Sequence, residues 1–293
     1  MDKKFLMGAN DWLVRSKAEE NQPTAISPKL RKNLVMLAMR KAYDFYSNFF
    51  VTPLSKCDFD NLFAEFERDY SHARSLDLLV HGGVREKDYL ILWCLSHMFL
   101  PEVYVESGVF VGSSLHAFIN SPRIKKILAI DPNLSNLRIP KQNIPDVEFI
   151  NDKDFSQLET HFSGMRSLVF FDDHIDTASR ILQAFEKGFR YVLFDDSTGL
   201  EGICQRLYPA VPTIPMIMNI EIYSPGDELS WIYKAAGYHV RLVITQELIE
   251  KCIEAKSVVK KYDAIPDLGE FIPQPHPEAI VDKTKFIVEL DQP

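Results

Sequence analysis

Tyr104-Val-Glu-Ser-Gly-Val-Phe-Val-Gly-Ser-Ser114 is the stretch that decides the fold. An apolar run through Val103 and Val105 ends on an acid, Glu106, and turns through Gly108 and Gly112. Leu115, Phe118 and Ile119 then keep helical spacing. Glycine in such a turn allows backbone to approach a ligand where a Cβ would clash. The amino terminus of the helix that follows offers N–H groups with no partner inside it. Open α/β sheets bind ligands at such places, outside the carboxyl ends of their strands.

A second strand with an acidic end follows. Lys126-Ile-Leu-Ala-Ile-Asp131 puts a carboxylate about 20 residues past the glycine turn, the spacing at which an acid holds ribose hydroxyls. The glycines do not have the dinucleotide spacing: Val109, Phe110 and Val111 separate Gly108 from Gly112. An acid inside the loop repels a pyrophosphate and suits an ammonium group. In this combination the chain resembles class I S-adenosylmethionine-dependent methyltransferases. The resemblance implies that Glu106, Gly108, Gly112 and Ser113 hold the amino-acid end of that cofactor and Asp131 its ribose. It also sets Asp152, in competition with Asn151, near the adenine. An NAD-dependent oxidoreductase is the rival reading, and a methyltransferase-like binding module without catalysis is a third.

From residue 101 to about 245 strands and helices alternate, which predicts an α/β, Rossmann-like, mostly parallel sheet with helices on both faces. The expected strands are 102–106, 126–131, 146–150, 167–172, 190–195 and 238–244, with 284–290 closing the sheet. Thr177–Lys187 reads as a helix stopped by Gly188. The resemblance implies seven strands with an antiparallel hairpin at the edge, built from 238–244 and 284–290. Residues 246–283, with Pro266, Pro273, Pro275 and Pro277, then form an insertion expected to have little regular structure. Residues 1–80 read as a helical extension. Ser27-Pro28 caps a helix to about Phe50, and Phe59, Leu62, Phe63 and Phe66 mark a second one. Such a prefix serves as a lid or as a homo-oligomer contact, ahead of a cofactor-binding domain spanning 81–293.

Two further strands end in acids: Val169-Phe-Phe-Asp-Asp-His-Ile-Asp176 and Tyr191-Val-Leu-Phe-Asp-Asp-Ser197. Four carboxylates at adjacent strand ends repel one another, and neither motif contains a basic residue. A hard divalent cation such as Mg²⁺ or Ca²⁺ relieves the repulsion. Helix capping by Asp176, Asp196 or Ser197 is the simpler alternative. Here the resemblance narrows to the macrocin-type O-methyltransferases and the cephalosporin-hydroxylase-like group. That likeness implies Mg²⁺ on Asp172, Asp195 and Asp196, with His174 as base beside Asp173. The chain departs from the group because both acids directly precede His174, so either Asp172 or Asp173 is a candidate ligand. His116 reads as a packing residue and His81 as part of a flexible turn. His72, His97, His161, His239 and His276 read as solvated or structural, and Trp93 and Tyr104 as core.

Of 293 residues, 46% are hydrophobic and 25% charged, enough for a sizeable core. A net charge of −8 argues against nucleic acid or an anionic membrane as partner. No apolar run approaches the ~20 residues of a membrane helix. Cys57, Cys94, Cys204 and Cys252 are scattered, as expected of reduced thiols in a cytoplasmic protein. The expected substrate is a small hydroxyl compound such as a sugar.

Overall fold

The first described element is helix α1 (Pro28–Phe49), in which Ser27 accepts from the Leu30 N–H at 3.2 Å and proline occupies the first turn. Helix α2 (Phe59–Ser75) is capped by Asp58. Helix α3 (Glu86–Phe99) leads into strand β1 (Val103–Ser107) and helix α4 (Ser113–Ile119). Strands β2 (Lys126–Ile130), β3 (Val147–Ile150) and β4 (Ser167–Phe171) follow, then helix α5 (Thr177–Glu186) and strand β5 (Tyr191–Phe194). A short helix α6 (Ile214–Met218) precedes strands β6 (Glu228–Tyr233) and β7 (Tyr238–Val243). Helix α7 (Gln246–Ser257), strand β8 (Val259–Ala264) and strand β9 (Phe286–Leu290) complete the chain. These come from a computed structural model that describes residues 27–79, 84, 86–140, 144, 147–195, 211–233, 238–269, 271 and 285–291.

Among the described residues, seven strands make one sheet in the order β3-β2-β1-β4-β5-β9-β8. The first five are mutually parallel, and β9 runs antiparallel to both β5 and β8. This is the Rossmann-like sheet expected from the sequence, with the antiparallel strand one place in from the edge. The expected partner of that strand is corrected. Residues 238–243 leave the main sheet and pair antiparallel with 228–233 in a ribbon of their own. The place at the edge goes to β8, inside the stretch expected to lack regular structure. An alternation of apolar residues identifies a strand without naming its partner.

The pleat divides the core. Tyr104, Ile127, Ala129, Leu168, Phe170, Leu193 and Ile287 face one layer, which includes Val35, Ala38, Met39, Ala42 and Tyr46 of α1 and nearly all of α3. Val103, Val105, Leu128, Val169, Phe171, Val192 and Val288 face the other, with Ala178, Ile181 and Ala184 of α5 and Cys252 of α7. The N-terminal helices therefore share the sheet's own core: Tyr46 donates to the Ile91 carbonyl at 3.1 Å. Along α1, Leu30 and Leu37 are exposed and the buried face runs through Val35, Ala38, Met39, Ala42 and Tyr46. Among the described residues no helix is long and apolar enough to cross a membrane.

Candidate functional site at the carboxyl edge of the sheet

The parallel strands end in step, and each is extended by one further backbone bond to its neighbour. Gly108 donates to the Ile130 carbonyl at 2.9 Å and Asp131 to Ile150 at 3.0 Å. Asp172 donates to Ser107 at 2.8 Å and Asp195 to Phe171 at 3.1 Å. The glycine turn and three of the sequence-selected acids are thereby held along one rim. The connections from β1 and β4 leave in opposite directions, so their ends form the switch point at which open α/β sheets bind ligands.

Gly108 lies in that seam with φ +95°, and a Cβ on it would sit 2.4 Å from the Asp172 carbonyl oxygen. The glycine is required by the neighbouring chain at the end of β4, a tighter constraint than the ligand approach expected from sequence. Gly112 (φ +92°) opens α4, and a Cβ there would meet Ile139 at 2.7 Å. Phe110, between the two, also has positive φ and is 42% exposed.

The acids on this side of the rim are satisfied locally. Asp131 Oδ2 accepts from the Val109 and Phe110 N–H groups, each at 2.9 Å, and Oδ1 accepts from Asn133 N–H at 2.8 Å. A carboxylate has about four lone-pair sites, so Oδ1 retains one. Glu106 is fully buried in the layer of α4, accepting from the Tyr104 hydroxyl and the Ser114 hydroxyl at 2.6 Å each. Burial raises its pKa to about 7, against the two hydroxyl hydrogen bonds and with help from the Asp131 charge. Ser113 donates to the Leu78 carbonyl at 2.6 Å, which ties α4 to the chain after α2. Asp152 is exposed just past β3.

On the other side, the adjacent acids at the end of β4 go to different faces. Asp173 turns toward the α5 layer, where Oδ2 accepts from the Ser107 hydroxyl at 2.5 Å and from Arg180 at 2.7 Å. Its Oδ1 accepts from Ile175 N–H at 3.2 Å, closing a turn around His174. His174 is half-buried with φ +53°, a left-handed conformation unusual for a residue with a side chain. Arg180 is 1% exposed, grips Asp154 through both terminal nitrogens at 3.0 and 2.6 Å, and lies over the rings of Phe171 and Phe155. Asp154 is held well below the usual carboxylate range by that guanidinium. Asp176 caps α5 by accepting from Ser179 N–H at 2.9 Å, as the simpler sequence reading allowed.

Lys285 directly precedes β9. Because β9 runs against β5, its first residues lie beside the last residues of β5, with Phe286 opposite Phe194. The Lys285 ammonium reaches Asp195 Oδ1 at 2.6 Å and Asp88, in the first turn of α3, at 3.3 Å. Two of the acids expected to lack counter-charge, Asp173 and Asp195, therefore have cations, each supplied from outside its motif. Among the described residues no three His, Cys, Asp or Glu side chains are grouped to hold a metal ion. Asp196, the third expected ligand, and His81 lie outside the described residues.

Sequence reasoning missed Arg180 and Lys285, although each left a signal. Arg180 sits beside Ile181 on the buried side of an amphipathic helix, where an unpaired charge is costly. A lysine opening an apolar strand that runs against its neighbour belongs at the acidic rim. The histidines were read more closely: His97 is buried beside Trp93 and Ser96, and His116 bridges Tyr89 at 2.8 Å and His72 at 3.0 Å.

No protein-family model matches this chain, and no curated protein does. Among solved structures, it is similar to CmcI in a form described as Mg-SAM, at 22% identity over 37% of this chain and 49% of that one, TM-score 0.29. The CmcI apo-structure is 19% identical over 60% of each chain, TM-score 0.34. An O-methyltransferase from Bacillus cereus in complex with SAH is 12% identical over 86% of this chain and 97% of that one, TM-score 0.43. The match spans about half to three fifths of the CmcI chains. These are likenesses of sheet and helix.

Proposed function

We propose that the chain is an S-adenosylmethionine-dependent O-methyltransferase acting on a hydroxyl group of a small molecule such as a sugar, with His174 as general base. The observation that supports it is the convergence, at one switch point, of the glycine turn, Asp131 and the Asp173–Ile175 turn that carries His174. The residues suit the cofactor. Asp131 fixes the turn and still has an acceptor site for one ribose hydroxyl, and Asp152 stands exposed past β3. Glu106, sealed behind two hydroxyls, supports the turn from within and does not present an open charge to an ammonium group. Gly112 and Ser113 keep α4 against its neighbours.

Bound there, S-adenosylmethionine supplies an electrophilic methyl group on a sulfonium. A protonated alcohol oxygen is a weak nucleophile, and an imidazole within hydrogen-bond reach takes its proton; such a base is worth about 10²–10⁴-fold. Asp173 acts through His174: its carboxylate closes the turn and is itself held by Ser107 and Arg180. Mg²⁺ on Asp172, Asp195 and Asp196 fits this rim poorly, since Asp195 is already paired with an ammonium, and no step is assigned to a metal. A cytoplasmic setting belongs to the same reading, on the scatter of the four cysteines along the sequence. Leu30 and Leu37, exposed on α1, suit a homo-oligomer contact.

Calorimetric titration tests the reading. S-adenosylmethionine is expected to bind and NAD not, and Asp131→Ala is expected to lose about 1–3 kcal/mol of cofactor affinity. Across a panel of sugars and alcohols, His174→Ala is expected to slow methyl transfer by about 10²-fold or more with cofactor affinity unchanged. Binding of NAD with no response to S-adenosylmethionine would sink it.

A further inference from the structure

We propose that the Lys285 ammonium is the resident cation of this rim, standing where a divalent metal would otherwise bridge the ends of β4 and β5. Asp195 and Asp172 fall on the same sheet face as Lys285 and Ile287, and the start of α3 brings Asp88 over them. Asp195 and Asp88 meet the one ammonium from two elements, and Asp172 ends the neighbouring strand in register with Asp195. A divalent cation is one solution to such a cluster, and a protonated amine fixed by the backbone is another. The amine here is anchored: the Lys285 carbonyl accepts from Ile265 N–H at 2.8 Å, and the side chain is only 6% exposed. Burial works against the ammonium, but Asp195, Asp88 and Asp172 outweigh it and hold Lys285 above the usual lysine range. The other acid of the β4 pair, Asp173, is drawn to the opposite face by Arg180. The carboxylates are thereby divided between two organic cations.

Lys285 is in these terms a positioning residue: it fixes Asp195 at the end of β5 and neutralises the cluster without an exchangeable ion. The inference rests on the carboxylate geometry and stands or falls apart from the methyl-transfer reading, because its test needs neither cofactor nor turnover.

The probe is Mn²⁺ alone, followed by electron paramagnetic resonance on the full chain. Wild type is expected to show no Asp195-dependent Mn²⁺ binding, and its unfolding temperature is expected to be the same in Mg²⁺ and in EDTA. Lys285→Met exposes the carboxylates, so it is expected to bind Mn²⁺ at least about tenfold more tightly than wild type. That gain is expected to vanish in Lys285→Met with Asp195→Asn. If Lys285→Met alone does not fold, the double variant, which removes the cation and one acid together, is expected to recover the fold. Wild-type Mn²⁺ binding abolished by Asp195→Asn would overturn the proposal. So would a folded Lys285→Met variant with no gain in Mn²⁺ affinity, or a double variant that fails to recover a misfolded single one.

Discussion

The two halves of the rim satisfy their acids in opposite ways. Around β1 and β2, Asp131 and Glu106 are satisfied by backbone N–H groups and hydroxyls close by in the chain. Around β4 and β5, Asp173 and Asp195 are satisfied by full positive charges, one on the following helix and one on the last strand. The first half is a cradle held by hydrogen bonds. The second is a charge network in which losing one member strands the others. The contrast fits the proposed division of labour, with cofactor held on one side and proton transfer on the other.

The largest expected effect breaks the charged half. Arg180→Met keeps most of the side-chain volume but leaves Asp173 buried without its cation, and breaking a buried pair costs about 3–5 kcal/mol. Asp154 is more than a third exposed and is discounted, so the expected loss is near the lower bound, read from denaturant unfolding. A loss no greater than that of an exposed pair would mean that the two halves do not differ in this way.

The next effect sharpens the hydrogen-bonded half. Glu106 has a folded pKa of about 7, above its ordinary 4.5, so its native state holds a proton that the unfolded chain gives up. Its contribution is fully present below about pH 4.5 and is lost as pH rises through about 7, a span worth roughly 3 kcal/mol. Glu106→Gln is expected to remove this slope. Superimposable stability profiles for wild type and variant between those pH values would show that the buried carboxylate is not a proton-holding group.

The smallest effect lies at the junction. The left-handed conformation of His174 costs a residue with a side chain about 1–2 kcal/mol. His174→Gly is therefore expected to unfold at higher denaturant than His174→Ala by about 1 kcal/mol, with both impaired in turnover. Equal stabilities would argue that the turn around His174 is not strained.

The hydrogen-bonded half was the more legible from sequence, and the reason is distance along the chain. Gly108, Gly112 and Asp131 fall within one strand–turn–helix–strand unit, so spacing alone brought them together. The rim acids were read correctly as strand-end groups, but their partners were not. Nothing local to Asp195 announces Lys285, which is reached only through the sheet order. The swap of residues 238–243 for β8 has the same origin, since pairing depends on which strands meet. Asp172 and Asp173, taken together in sequence, were divided by the pleat, because neighbouring residues on extended chain point to opposite faces.

The insertion of β9 between β5 and β8 has a consequence for the order of assembly. Among the described residues β8 pairs in the sheet with β9 alone, so its seat there waits for the later strand. Lys285 emerges about 90 residues after Asp195, which at a typical synthesis rate is roughly 5–20 s. Throughout that interval the growing chain already has its acids but not the lysine that quiets them, and the parallel half has an open flank. The last step of folding is then a wedge: one strand enters, closes the sheet and discharges the rim together.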